Sequence, residues 1–136
     1  MKPVFLDTGY LIALEASDDQ NHVAARRHWR DFSRRLPTLV TTSLVFSEVV
    51  TFFNTRGQHD KAVELGNMLL DSATVDLVHA DESLLLSAWD LFQKYSDKSF
   101  SLPDCLSFVV MRQRGLDCAL AFDRHFVQAG FQKLPW

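Results

Sequence analysis

The sequence predicts an α/β fold, a three-layer α/β/α sandwich around a central, mainly parallel sheet of four to five strands. Short apolar runs that suit buried strands alternate with longer segments whose apolar residues recur at helical spacing. The first run, Val4 to Leu6, is continuously apolar, as a central parallel strand requires. Because no repeat or linker interrupts the pattern, residues 1–136 are expected to form a single domain.

The first half of the chain supplies two of the strands. After the strand at 4–6, Asp7 or Thr8 can cap a helix that Leu11, Ile12 and Leu14 continue. Pro37 ends the second helix, and Thr42 or Ser43 can cap the third. The predicted elements are helices at about 21–35, 44–55 and 60–71 and a strand at 38–41.

The second half repeats the alternation. Asp81 can cap a helix that continues through Phe92, and a helix that opens at Ser101 stops near Arg114, because Gly115 follows. The remaining predicted elements are strands at 74–79 and 118–122, a loop at 95–100, a short helix at 124–129 and an edge strand at 131–134.

Composition narrows the class of protein. With a net charge of −3, the chain has no overall basic excess, although a local patch can still bind phosphates. Its two cysteines, Cys105 and Cys118, lack metal-ligand spacing. No apolar run approaches the roughly 20 residues of a membrane span, and Asp7 interrupts any signal-peptide pattern. We therefore expect a soluble, cytoplasmic protein.

Four acidic residues occupy positions where side chains can converge. Asp7 and Asp123 each follow a predicted strand, Asp104 begins a helix, and Glu48 lies in the early turns of another. Each has an ordinary structural interpretation. The three aspartates can cap helices, Asp104 through a Ser101-x-x-Asp104 capping box. Glu48 lies too far into its helix to cap, but it can pair with an arginine elsewhere.

Together the four acids are more informative than any one of them. At the carboxyl edge of a parallel sheet they can reach one crevice, where open α/β folds bind ligands. Four carboxylates at short range would repel one another, and a divalent cation relieves that repulsion. Oxygen ligands without a Cys or His cluster favour Mg²⁺ or Mn²⁺. Such a site suits phosphodiester hydrolysis, because the ion activates water and stabilises phosphoryl charge.

Four segments of the chain resemble the PIN-domain family and, within it, the VapC-type toxins of toxin–antitoxin pairs. Their order and spacing carry the resemblance over essentially the whole chain. The segments are Phe5-Leu6-Asp7-Thr8-Gly9, Ser47-Glu48-Val49, Ser101-Leu102-Pro103-Asp104-Cys105-Leu106-Ser107-Phe108 and Ala121-Phe122-Asp123-Arg124-His125-Phe126.

The resemblance implies a PIN fold and a ribonuclease that depends on Mg²⁺, with Mn²⁺ able to substitute. It maps the family's acids onto Asp7, Glu48, Asp104 and Asp123. Asp7 and Asp104 would bind metal most directly, Glu48 and Asp123 would complete the shell directly or through water, and Thr8 would support the first acid.

The sequence departs from the family pattern at two positions. His125 stands where many relatives carry a further acid, which weakens a second metal site, and we interpret it as structural or solvated. Pro103 precedes Asp104 in place of a hydroxyl or acidic residue, and the first helical turn tolerates proline. Asp97 is interpreted as a loop residue rather than an outer acid.

The sequence also offers candidate residues for contacts with a substrate and with a partner. Lys98 and Arg124 are our candidates for RNA phosphate contacts. The arginines of the second helix could bind phosphates or simply face solvent; they are Arg26, Arg27, Arg30, Arg34 and Arg35. The resemblance further implies a homodimer and an antitoxin peptide in an apolar groove, around residues such as Trp29, Phe32, Phe52 and Phe53.

Three other readings stay open on sequence alone. A PIN nuclease could act in RNA processing or on DNA rather than as a toxin. A catalytically silent binding module would use the acids only as caps. A phosphatase with Asp7 as nucleophile would need a second acid two residues on, where this chain has Gly9.

Overall fold

A five-stranded, entirely parallel sheet forms the centre of the computed structural model, which describes residues 2–136. Its strands lie in the order β3-β2-β1-β4-β5, and each neighbouring pair is parallel. The strands are β1 (Val4–Leu6), β2 (Leu39–Thr42), β3 (Val75–Val78), β4 (Cys118–Leu120) and β5 (Gln132–Leu134). The sheet agrees with the predicted α/β sandwich.

Seven α-helices occupy the connections between strands in the described residues. They are α1 (Thr8–Glu15), α2 (His22–Phe32), α3 (Ser43–Thr55), α4 (His59–Asp71), α5 (Glu82–Lys94), α6 (Leu102–Gln113) and α7 (His125–Gln128). Thr42 caps α3 by accepting a hydrogen bond from the Val45 N–H at 3.2 Å. The predicted box at the start of α6 is present, with Ser101 and Asp104 each accepting the other's main-chain N–H at 3.1 Å.

Two predicted elements extend beyond the observed ones, the fourth strand by two residues and the second helix by three. The fourth strand ends at Leu120, so Ala121 and Phe122 separate it from Asp123. The second helix ends as an α-helix at Phe32, and Ser33–Arg35 continue it as one 3₁₀ turn before Pro37. The other elements agree with prediction to within one or two residues.

The strand order places a topological switch point at the centre of the sheet. The chain builds β1, β2 and β3 outward on one side of β1, then returns to build β4 and β5 on the other. Diverging connections leave a crevice at the carboxyl ends of the two strands on either side of the switch. Here those strands are β1 and β4, which lead to Asp7 and Asp123.

Aromatic side chains fill the core beside this crevice. Phe5, on β1, is fully buried and lies 6.1 Å from the ring of Phe126, which packs edge-on against Phe108 on α6. Full burial of such a side chain contributes about 1.5–3 kcal/mol. These rings therefore tie β1 to α6 and α7, close in sequence to Asp7, Asp104 and Asp123.

In the part of the chain that the structure describes, every helix is too short or too polar to cross a lipid bilayer.

Candidate active site

Asp7 is the most deeply buried of the four acids, with 7% of its surface exposed. It occupies the N-cap position of α1, but its side chain makes no capping hydrogen bond. The pKa of Asp7 is raised to about 7, first by burial and then by the Asp104 carboxylate, although the main-chain N–H groups of Thr8 and Gly9 partly oppose both effects. Asp123 adds a smaller repulsion. Helix capping alone therefore does not account for the burial and the raised pKa of this side chain.

Glu48 reaches the same crevice from the second turn of α3. Its Oε1 accepts a hydrogen bond from Thr8 Oγ1 at 2.8 Å, so the residue after the first acid holds the second. Partial burial raises the pKa of Glu48; the Thr8 hydroxyl opposes this shift and the Asp104 carboxylate adds to it. Among the described residues no salt bridge to an arginine holds Glu48, and the structural alternative of an ion pair fails.

Asp104 combines a structural and a potential chemical role. Its Oδ2 accepts the Ser101 N–H in the capping box, and its side chain is only 13% exposed. It is also the acid whose charge acts on both Asp7 and Glu48. A carboxylate has about four lone-pair sites on its two oxygens, so accepting one capping N–H leaves Oδ1 and a second lone pair of Oδ2 available to a ligand.

Asp123 approaches from the segment that follows β4. Its Oδ1 accepts the main-chain N–H of His125 at 2.9 Å, which fixes the turn. The preceding Phe122 stacks on Tyr10 of α1 with ring centroids 5.7 Å apart. This stacking holds the two segments that carry Asp7 and Asp123 together.

The sequence interpretation missed the place of His125. Its Nδ1 lies 2.9 Å from Asp104 Oδ2 and 3.1 Å from Asp123 Oδ2, so it belongs to the cluster and is not solvated at a distance. The available signal was its position two residues after Asp123, where the related pattern has an acid.

The other residues predicted to contact metal or RNA make no hydrogen bond to the four acids among the described contacts. Asp97 is exposed and pairs with the neighbouring Lys98 at 3.7 Å. Arg124 is exposed beside Asp123. All five arginines from Arg26 to Arg35 are exposed as well.

Of the four proposed groove residues, Phe53 is buried in the core, whereas Trp29, Phe32 and Phe52 pack against it partly buried.

The residues present suit a hard divalent cation. A buried carboxylate with a pKa near 7, next to further acids, has a strong electrostatic reason to bind one. Carboxylate oxygens are the ligands that Mg²⁺ and Mn²⁺ accept.

Comparisons with known proteins identify the family of the chain. Residues 4–132 match the family model described as PIN domain. The chain is 34% identical over 128 residues to a Mycobacterium tuberculosis protein named 23S rRNA-specific endonuclease VapC20, covering 94% of this chain and 95% of that protein. The crystal structure of M. tuberculosis VapC20, described as a Sarcin-Ricin loop cleaving toxin, superposes with a TM-score of 0.84 at 33% identity over 94% of this chain and 95% of that one.

A more distant structure shares the fold alone. FitAcB from Neisseria gonorrhoeae superposes with a TM-score of 0.65 at 18% identity, covering 96% of this chain and 95% of that chain.

Proposed function

The chain belongs to the PIN-domain family, and we propose that it is a metal-dependent endoribonuclease, the toxin of a toxin–antitoxin pair. The observation that carries the proposal is the convergence of Asp7, Glu48, Asp104 and Asp123 at the switch point of the sheet. The similarity to a 23S rRNA-specific endonuclease over nearly the full length of both chains supports an RNA substrate. A ribosomal RNA loop is accordingly the first substrate to test.

The four acids would divide the work of holding the ion and the water. Asp7 and Asp104 would hold Mg²⁺ or Mn²⁺ most directly. Glu48 and Asp123 would complete the shell, directly or through water. The bound ion would supply Lewis-acid stabilisation of the phosphoryl charge and a more acidic water. Thr8 keeps Glu48 in place through its 2.8 Å hydrogen bond.

Two exposed basic residues are our candidates for contacts with RNA phosphates. Arg124 is exposed directly after Asp123 and is our first candidate for a phosphate contact. Lys98 is the second, and its long contact with Asp97 leaves its charge available to a phosphate. Phosphate contacts of this kind give affinity without base specificity.

The partners and the location of the protein are inferred from its family. We infer a homodimer and a cognate antitoxin that binds an apolar groove to which Trp29, Phe32 and Phe52 contribute. We infer a single domain over residues 1–136 and a cytoplasmic location, as the sequence predicts. These are expectations drawn from the family and its toxin members.

The direct test is RNA cleavage. Purified wild type and Asp7→Asn are incubated with 23S rRNA and with unrelated structured RNAs, in Mg²⁺, in Mn²⁺ and in chelator, with Asp81→Asn as a matched control at a helix cap outside the crevice. We expect discrete products from wild type and Asp81→Asn that need the metal, and none from Asp7→Asn. Absence of cleavage by folded wild type on every RNA would favour a silent PIN-fold binding module instead.

A further inference from the structure

His125 presents a nitrogen to the same point as two of the acids. Its Nδ1 lies 2.9 Å from Asp104 Oδ2 and 3.1 Å from Asp123 Oδ2. One potential ligand atom from each of the three residues lies within 4.8 Å of the other two. The imidazole side chain is 21% exposed, so solvent reaches it only in part.

The ring is held in this position by contacts that do not involve Nδ1. The main-chain N–H of His125 donates to Asp123 Oδ1 at 2.9 Å, which fixes the backbone. The buried ring of Phe100 packs edge-on against the imidazole, with centroids 5.4 Å apart. A ligand that is already fixed loses little conformational entropy when an ion binds.

The spacing of the three atoms also suits a bound cation. Neighbouring ligands of an octahedral ion with bonds of about 2.1 Å lie about 3.0 Å apart. The two distances from Nδ1 to the carboxylate oxygens are close to this value. When the ring proton lies on Nε2, the Nδ1 lone pair faces the acids and is available to a metal.

We propose that His125 is a nitrogen ligand of the metal site and makes that site select Mn²⁺ over Mg²⁺. The proposal rests on the proposed function, since it concerns the ion on which the nuclease depends. Mg²⁺ strongly favours oxygen, whereas first-row transition ions also accept imidazole nitrogen. Replacing an oxygen ligand by imidazole therefore raises the affinity for Mn²⁺ relative to Mg²⁺.

Pulsed electron paramagnetic resonance of bound Mn²⁺ tests the ligand directly. Wild type, His125→Asp and the control His79→Asn, at an exposed histidine outside the cluster, are labelled with ¹⁵N-histidine and loaded with substoichiometric Mn²⁺. We expect coupling to one imidazole nitrogen in wild type and in His79→Asn, and none in His125→Asp. Circular dichroism establishes that each variant is folded.

Calorimetric titration of the same proteins measures metal selection without RNA. We expect the ratio of the Mg²⁺ to the Mn²⁺ dissociation constant to fall by roughly tenfold or more in His125→Asp and to stay unchanged in His79→Asn. An unchanged ratio in folded His125→Asp, or Mn²⁺ bound to wild type without nitrogen coupling, would overturn the proposal.

The two proposals fail in different ways. Metal-dependent RNA cleavage by a protein whose Mn²⁺ shows no nitrogen coupling would retain the nuclease and remove His125 from its ligands. Nitrogen coupling in a protein that cleaves no RNA would retain the ligand and contradict the nuclease. Folded wild type that binds no Mn²⁺ would contradict both.

Discussion

Asp7 and Asp81 occupy similar positions along the chain, but they differ in burial and in hydrogen bonding. Each follows a strand and occupies the N-cap position of a helix, α1 for Asp7 and α5 for Asp81. Asp81 is exposed, and its Oδ1 accepts the Leu84 N–H at 2.9 Å. Asp7 is buried, makes no capping hydrogen bond and has its pKa raised to about 7, first by burial.

The difference between the two aspartates comes from the sheet and not from the local sequence. Asp81 follows β3, at the edge of the sheet, where water can reach the helix start. Asp7 follows β1, the central strand, where three further acids approach from α3, α6 and the segment after β4. An acid next to a strand is therefore a cap or a ligand according to the place of its strand in the sheet.

The largest difference between substitutions of Asp7 and of Asp81 should appear in the rate of RNA cleavage. Asp7→Asn should lower RNA cleavage at least about 1,000-fold, which corresponds to about 4 kcal/mol of lost transition-state stabilisation. Asp81→Asn should leave the rate unchanged, because asparagine also caps and the crevice is untouched. Single-turnover cleavage rates at saturating Mg²⁺ measure both. A comparable loss of cleavage rate in the two variants would show that Asp7 has no special role in catalysis.

The raised pKa of Asp7 should also make the unfolding free energy depend on pH. In metal-free buffer the folded state keeps a proton on Asp7 between the ordinary pKa of 3.8 and the folded value of about 7, while the unfolded chain has released it. The stabilisation is fully present below pH 3.8 and is lost as the pH rises through the folded pKa. It amounts to about 1.4 kcal/mol per pH unit and up to about 4 kcal/mol in total.

Urea denaturation from pH 4 to pH 8 in chelator measures this loss as the wild type minus Asp7→Asn difference in unfolding free energy. Wild type should become progressively less stable than the variant as the pH rises. Parallel pH profiles for the two proteins would show that Asp7 titrates normally.

A smaller effect should follow from removing the hydroxyl that holds Glu48. Thr8→Val deletes the 2.8 Å hydrogen bond to Glu48 Oε1, and a hydrogen bond to a charged group contributes about 1.5 kcal/mol. We expect a cleavage rate about tenfold lower. Thr8→Ser, which keeps the hydroxyl, is the matched control, and equal rates for the two variants would show that the bond has no role in positioning.

The smallest effect should be the loss of the ordinary cap. Asp81→Ala removes the acceptor for the Leu84 N–H and should lower the unfolding free energy by about 1 kcal/mol. Thermal and urea unfolding measure the loss, and cleavage should be unchanged. A drop in cleavage with intact folding would indicate that α5 contributes to the site.

The sequence predicted most of the fold, because the patterns that indicate helices and strands are local. The continuous apolar run at Val4–Leu6 predicted a central strand, and the Ser101-x-x-Asp104 spacing predicted the cap of α6. It also grouped the four acids, since carboxyl ends of parallel strands share one edge.

What the sequence could not show depends on contacts between distant segments. Thr8 and Glu48 are 40 residues apart, and their hydrogen bond exists only after β1 and β2 pair. His125 was interpreted as structural or solvated because its 21-residue separation from Asp104 hides their contact. The fourth strand was drawn too long because Ala121 and Phe122 are as apolar as a strand, although Phe122 in fact stacks on Tyr10.

Calorimetric titration of Mn²⁺ into wild type, Asp7→Asn and Asp81→Asn at neutral pH tests directly whether Asp7 is a metal ligand. We expect binding to wild type and to Asp81→Asn with the same affinity, and loss of binding in folded Asp7→Asn. Equal binding of Mn²⁺ by wild type and Asp7→Asn would contradict this expectation, because the buried acid at the switch point would then not be a ligand.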